Sequence, residues 1–220
     1  MLFRAATSLL CKNVSACEER SDSFTHDGLF DIDIPRKIFV SPKKVQQDLY
    51  STAHRCMNNW CFLKPARAYV LGLYTDHAAL NRLKTHDTGD REVFRTDFPK
   101  SFVLFFASSK NSEHVKNGFR RSFETFVRSQ KSEAFPLTLI SEFLTVLDGH
   151  EGLRRNDFIR VSCVPSKNLV IVSFNDETEV QIRDGKGLIH WMHSLYLGLE
   201  ENPKARYSIM QSDLLHKFNS

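Results

Sequence analysis

Nine histidines and five cysteines are spread along the chain without the spacing that a common metal or nucleophilic site requires. His190 and His193 lie one helical turn apart, but Trp191 and Met192 between them are apolar and no third ligand is near in sequence. Two surface or helix-flank histidines are the better reading, and no metal site is expected. His86–Asp87 and His150–Glu151 sit in turn-rich stretches where nothing positions an acid–base partner. Cys11, Cys17, Cys56, Cys61 and Cys163 are odd in number and match no zinc-knuckle spacing, which reads as reduced thiols in a reducing compartment. There is no G-x-S-x-G elbow, phosphate-binding loop, dinucleotide fingerprint or H-E-x-x-H helix.

One combination is more informative. Arg55 follows His54 and precedes an apolar strand-like segment, Arg67–Tyr74, that carries Tyr69, Leu71 and Leu73 on one face. If that segment pairs back on the one carrying Arg55, a single cation faces a tyrosine hydroxyl at the end of an apolar surface. A guanidinium and a phenol in that setting suit a carboxylate whose tail is apolar. The plainer alternative is an Arg55 paired with a surface Asp or Glu, because most arginines are solvated. The charge run Arg120, Arg121, Arg128 and Lys131 reads as a solvated helix face, with a phosphate or lipid-headgroup contact as the alternative.

Composition narrows the classes. Thirty basic and 26 acidic side chains leave a net charge of only +4, too mild to argue for a nucleic-acid partner. No apolar run reaches the length of a membrane-spanning helix. Eighteen Phe in 220 residues promise a thick core or an apolar pocket. Met1–Cys17 is basic, hydroxylated and free of acids, the profile of a mitochondrial or plastid presequence, with a merely floppy, cytoplasmic N-terminus as the alternative. Glu18–Asp31 is Ser/Asp-rich and reads as a linker. The expected division is therefore residues 1–31 as presequence and linker and 32–220 as one folded domain.

The elements that would position these residues follow from periodicity. Arg67–Tyr74 alternates as a strand, Thr75 or Asp76 can cap a short helix His77–Leu83, and Thr85–Glu92 reads as a loop. Phe98–Ala107 is apolar on both faces, as in a strand between two layers. In Asn111–Arg128 the apolar residues Val115, Phe119, Phe123, Phe126 and Val127 form a helical stripe. Pro136 opens a second helix, Leu137–Leu147, closed by Gly149. Phe158–Val164, Asn168–Phe174 and Glu177–Arg183 alternate around tight turns as an antiparallel meander, and a third helix covers Leu188–Gly198. This order gives an α+β fold, a sheet with helices packed on one side.

Several blocks resemble chalcone isomerase-like proteins. Arg67-Ala-Tyr-Val-Leu-Gly-Leu-Tyr74 is similar to that family's strand signature K-V-Y-A-V-G-L-Y. Phe98–Phe106 with the helix Val115–Val127, then Asn156-Asp-Phe-Ile159, then Leu195-Tyr-Leu-Gly198 with Asn202-Pro203, follow in the family's order. The resemblance spans roughly Ile38–Tyr207. It implies an open-faced β-sandwich with a cleft between sheet and helices. The family includes isomerases, fatty-acid-binding members and mitochondrial haem binders. Its ligand-clamping Arg falls on Arg55, and the next site position, Tyr in fatty-acid-binding members, falls on Tyr69. A late Thr falls on Thr178, and Phe102 and Phe106 would line the tail site. The isomerase Tyr and Asn fall near Asn111 and Gly118, so the donors that polarise the isomerase substrate are missing. The expectation is a non-catalytic, mitochondrial binder of a fatty acid. The alternatives are a haem protein using the same Arg with His54 on iron, a ligand-free assembly factor, and an isomerase of a flavonoid-like substrate.

Overall fold

The computed structural model describes residues 23–40, 44–56, 63, 67–76, 97–130 and 135–197. The presequence Met1–Cys17, the helix His77–Leu83, the loop Thr85–Glu92 and the tail after Pro203 lie outside these residues.

Alternation in the apolar strands dictates a sheet that can be covered on both faces. Strands β1 (Phe24–Asp27), β2 (Ile32–Pro35), β3 (Lys37–Val40), β4 (Val45–Cys56), β5 (Arg67–Asp76) and β6 (Lys100–Phe106) come first. A two-residue strand β7 (Lys110–Asn111) leads into helix α1 (Ser112–Ser129), followed by α2 (Thr138–Leu144) with a 3-10 turn Thr145–Leu147. Then come β8 (Gly152–Leu153), β9 (Phe158–Val164), β10 (Leu169–Phe174), β11 (Thr178–Ile182) and helix α3 (Lys186–Tyr196). The main sheet has seven strands in the order β11-β10-β9-β6-β5-β4-β3. All its neighbours are antiparallel. It curls into a half-barrel, which brings Phe39 of edge strand β3 to the same hollow as Phe158 and Arg160 of β9. The α+β architecture expected from the element order is the one found.

The core divides by strand parity. Leu71, Leu73, Phe102, Leu104, Phe106, Ile159 and Val161 face the helices. Val70, Tyr74, Val103 and Phe105 face the other way, against Phe30, Ile32 and Ile34. Gly72 belongs to this second parity, and a Cβ there would lie 2.7 Å from the Tyr74 ring, which lies across it. That ring reaches the β1–β2 hairpin, where the Tyr74 hydroxyl donates to the Pro35 carbonyl at 2.7 Å.

The helical stripe behaves as its spacing requires. Phe119, Phe123 and Phe126 are buried, and the Asn111 side chain caps α1 by accepting from the Glu113 and His114 amides. Trp191 of α3 meets Phe119, Phe123 and Phe143 edge-on, with ring centroids 6.0, 5.5 and 5.6 Å away, so the three helices among the described residues share one aromatic node. In the meander, Asn175 and Asp176 both have positive φ, 51° and 59°, at the centre of a turn that the Glu177 amide closes by donating to the Phe174 carbonyl at 3.0 Å.

Three expectations change. The Ser/Asp-rich stretch Glu18–Asp31 is not linker throughout: β1 begins at Phe24, and Phe30 is only 1% exposed. Polar composition concealed a hairpin whose inward residues are few but large. Asp27 fastens its turn by accepting from the Phe30 amide at 2.8 Å and by meeting His54 Nε2 at 2.6 Å. Cys56 is disulfide-bonded rather than a reduced thiol, whereas Cys163 is free and buried. His193, read as a surface or flank residue, is fully buried and packs edge-on to Phe102 at 5.9 Å.

A lysine sits in this core. Lys100 is fully buried on the helix face, opposite Cys163, with its ammonium 5.7 Å from the Phe98 ring centroid. Burial pushes it down from 10.5 to about 7, against smaller opposing pulls from Cys163 and Asp97. The unfolded chain therefore binds more protons than the folded one between pH 7 and 10.5, so stability from this group rises across that window and is lost below it. Lys100→Met should raise the urea midpoint more at pH 6.5 than at pH 9.5. An equal gain at both values would mean that the lysine does not titrate differently in the two states.

Candidate functional site

Strand register decides what the apolar segment Arg67–Tyr74 can do. β4 pairs with β5 so that Arg55 stands directly opposite Tyr69. Tyr69 in turn stands opposite Phe106 on β6. Directly opposed residues share a face of the sheet, and this is the helix face, since Ala53, Leu71 and Phe106 of the same parity pack there. The pairing inferred from sequence thus brings Arg55, Tyr69 and Phe106 together.

Helix α3 adds a residue that sequence reasoning treated only as packing. Tyr196 is fully buried, its hydroxyl is 3.2 Å from the Tyr69 hydroxyl, and its ring tilts on Phe102 at 5.6 Å. The signal was present, as the Tyr in the Leu195–Gly198 block, but a helical tyrosine next to apolar residues reads as core. One phenol donates to the other, so one phenolic hydrogen of the pair remains to be given to a third group. Burial pushes the titration of both phenols upward, while the Arg55 charge pulls both the other way. Arg55 therefore acts electrostatically on both hydroxyls. It is itself exposed, and among the described residues no acid pairs with it, contrary to the plainer reading of a surface ion pair. A guanidinium with no acid paired to it among the described residues, beside two phenols, has the donor set that a carboxylate would need.

Other expected site residues fall elsewhere. Phe102 has the right parity but is fully packed beneath His193 and Tyr196, so it walls no open space. Phe106 is 3% exposed and meets Tyr69 edge-on. Thr178 lies on β11, the opposite edge of the sheet from β4, and does not join the cluster. Sequence distance gave no hint of this, because the strand order inserts β10, β9, β6 and β5 between them. His54, one residue from Arg55, necessarily points to the opposite face. There it pairs with Asp27 and stacks on Phe30 at 4.9 Å. A haem held by Arg55 and ligated by His54 in one cleft is therefore incompatible with this strand. Asn111 is occupied in capping α1, and Gly118 is an exposed position with open space around it. Neither is part of the Arg55 cluster.

No family model matches the chain, and no curated protein matches it in sequence. Among solved structures it is similar to a fatty-acid binding protein of Arabidopsis thaliana, with a TM-score of 0.62 at 15% identity. The match covers 86% of this chain and 96% of that one. The chain has the chalcone isomerase-like fold, as the motif resemblance implied. No helix among the described residues is long and apolar enough to cross a membrane.

The hydroxyl pair is directly testable. Tyr69→Phe and Tyr196→Phe should each cost about 1 kcal/mol in urea unfolding, the net worth of a typical hydrogen bond. The double variant should cost less than the sum, since either change removes the same bond. Strict additivity would show that the two hydroxyls do not interact.

Proposed function

We propose that this protein binds a hydrophobic carboxylate, a fatty acid, at the helix face of its sheet. The observation that carries the reading is Arg55: a guanidinium without an acidic partner among the described residues, opposed by Tyr69 and electrostatically coupled to Tyr196. Arg55 would take the carboxylate through its N–H donors, and the phenolic hydrogen left over from the Tyr69–Tyr196 pair would donate to the same group. The alkyl tail would run over Phe106 toward Phe102. Because Phe102 is fully packed, the tail has to part Tyr196 from it to enter, and that opening costs affinity and slows association. The likeness to a solved fatty-acid binding protein supports the same class of ligand. A mitochondrial location goes with this reading on the strength of the acid-free Met1–Cys17 alone.

The packed state of Phe102 also favours a second reading, an assembly or interaction factor that keeps the fold without a ligand. Calorimetric titration with palmitate, using hexadecanol as the uncharged control, separates the two. The proposal expects palmitate to bind more tightly than the alcohol. It also expects Arg55→Ala to weaken palmitate about 10- to 100-fold, the value of one charge-assisted hydrogen bond, with Tyr69→Phe weakening it less. Equal binding of acid and alcohol, or an Arg55→Ala variant that binds as the parent does, would overturn it. No uptake of palmitate at all would leave the ligand-free reading.

A further inference from the structure

The opposite face of the sheet carries a second polar group that neither the fold nor the Arg55 cluster accounts for. Arg160 lies in the middle of β9, whose other residues apart from Ser162 are apolar, and is 6% exposed. Its parity is that of Phe158, so it points away from the helices. Among the described residues its guanidinium has one polar partner, the Asp176 carboxylate at 2.7 Å, which is itself half-exposed. A guanidinium carries several N–H donors in a fixed fork, and those that Asp176 does not take are not buried without a partner but remain open to solvent.

Arg160 and Asp176 line a hollow of about 220 Å³ in the mouth of the half-barrel. Its walls are apolar: Val103 and Phe105 of β6, Phe158 of β9 and Phe39 of β3, with Lys37 also lining it. Phe105 and Phe158 form a tilted ring pair with centroids 5.7 Å apart. The edge strand reaches across because the sheet curls, and Asp176 is placed by the left-handed turn that it shares with Asn175. Two cations and one acid, Arg160, Lys37 and Asp176, leave the lining with a net positive charge.

We propose that this hollow is a second binding site, for a small aromatic or compact aliphatic carboxylate, with Arg160 as its anchor. The flat apolar body would lie against Phe105 and Phe158, and the carboxylate would take the guanidinium donors that Asp176 leaves unmet. The site is separate from the Arg55 cluster, being on the other face of the sheet, and does not depend on the fatty-acid reading.

The two acids compete for one guanidinium, which makes the test directional. Benzoate is the probe, titrated into the ¹⁵N-labelled full chain and followed by amide shifts on β3, β6 and β9. The parent should show saturable shifts on these strands, and Arg55→Ala, which removes any benzoate held at the other face, should keep them. Arg160→Met should lose them. Asp176→Asn, which frees the guanidinium while retaining the turn geometry, should tighten benzoate several-fold. If Arg160→Met does not fold, the Asp176→Asn result still decides. Benzoate that ignores the parent, or that binds Asp176→Asn no better than the parent, would overturn the proposal and leave Arg160–Asp176 as a structural ion pair.

Discussion

Trp191 is the point on which the arrangement turns. Its indole is held edge-on by Phe119 and Phe123 of α1 and by Phe143 of α2, and its ring nitrogen donates to Ser122 at 3.1 Å. Aromatic rings in perpendicular contact have a defined geometry as well as a large buried area, so the node fixes the orientation of α3 and not merely its proximity. Once α3 is set, Tyr196, five residues beyond Trp191, is carried over the sheet to meet Tyr69 and Phe102. The hydroxyl pair therefore inherits its position from the packing of three helices. A looser helix layer would still bury apolar area but would not deliver a phenol to within hydrogen-bond reach of the strand.

The sheet works by the opposite logic, through parity rather than packing. Adjacent residues on β4 serve separate faces: Arg55 goes to the helix side, and His54 is tied to Asp27 under the hairpin. The same rule separates Phe102 from Val103 and Ile159 from Arg160. The two faces hold their polar groups differently. On the helix side an exposed guanidinium, the half-buried Tyr69 and the buried Tyr196 stand together with no acid paired to the guanidinium among the described residues. On the other side a buried guanidinium is paired with a turn aspartate. The fold of the plant fatty-acid binding protein is shared by this chain at 15% identity. Fold likeness alone therefore does not specify a ligand.

The sequence by itself determined the local grammar. The Phe stripe on α1, the double-faced apolar run of β6, the Asn175–Asp176 turn and the Gly149 stop are all short-range signals, and each names its element because side-chain period and backbone preference act within a few residues. The opposition of Arg55 and Tyr69 was also legible, since two neighbouring strands joined by a short connection tend to pair antiparallel. Strand order, curl and helix docking were not legible. They placed Thr178 at the far edge and closed Tyr196 and His193 over Phe102, and they turned part of a polar linker into a hairpin anchored by Phe30. They also brought Lys37 and Phe39 across to Arg160. Each is a contact between residues far apart in sequence, settled by which buried surfaces fit together, and no local pattern encodes that fit.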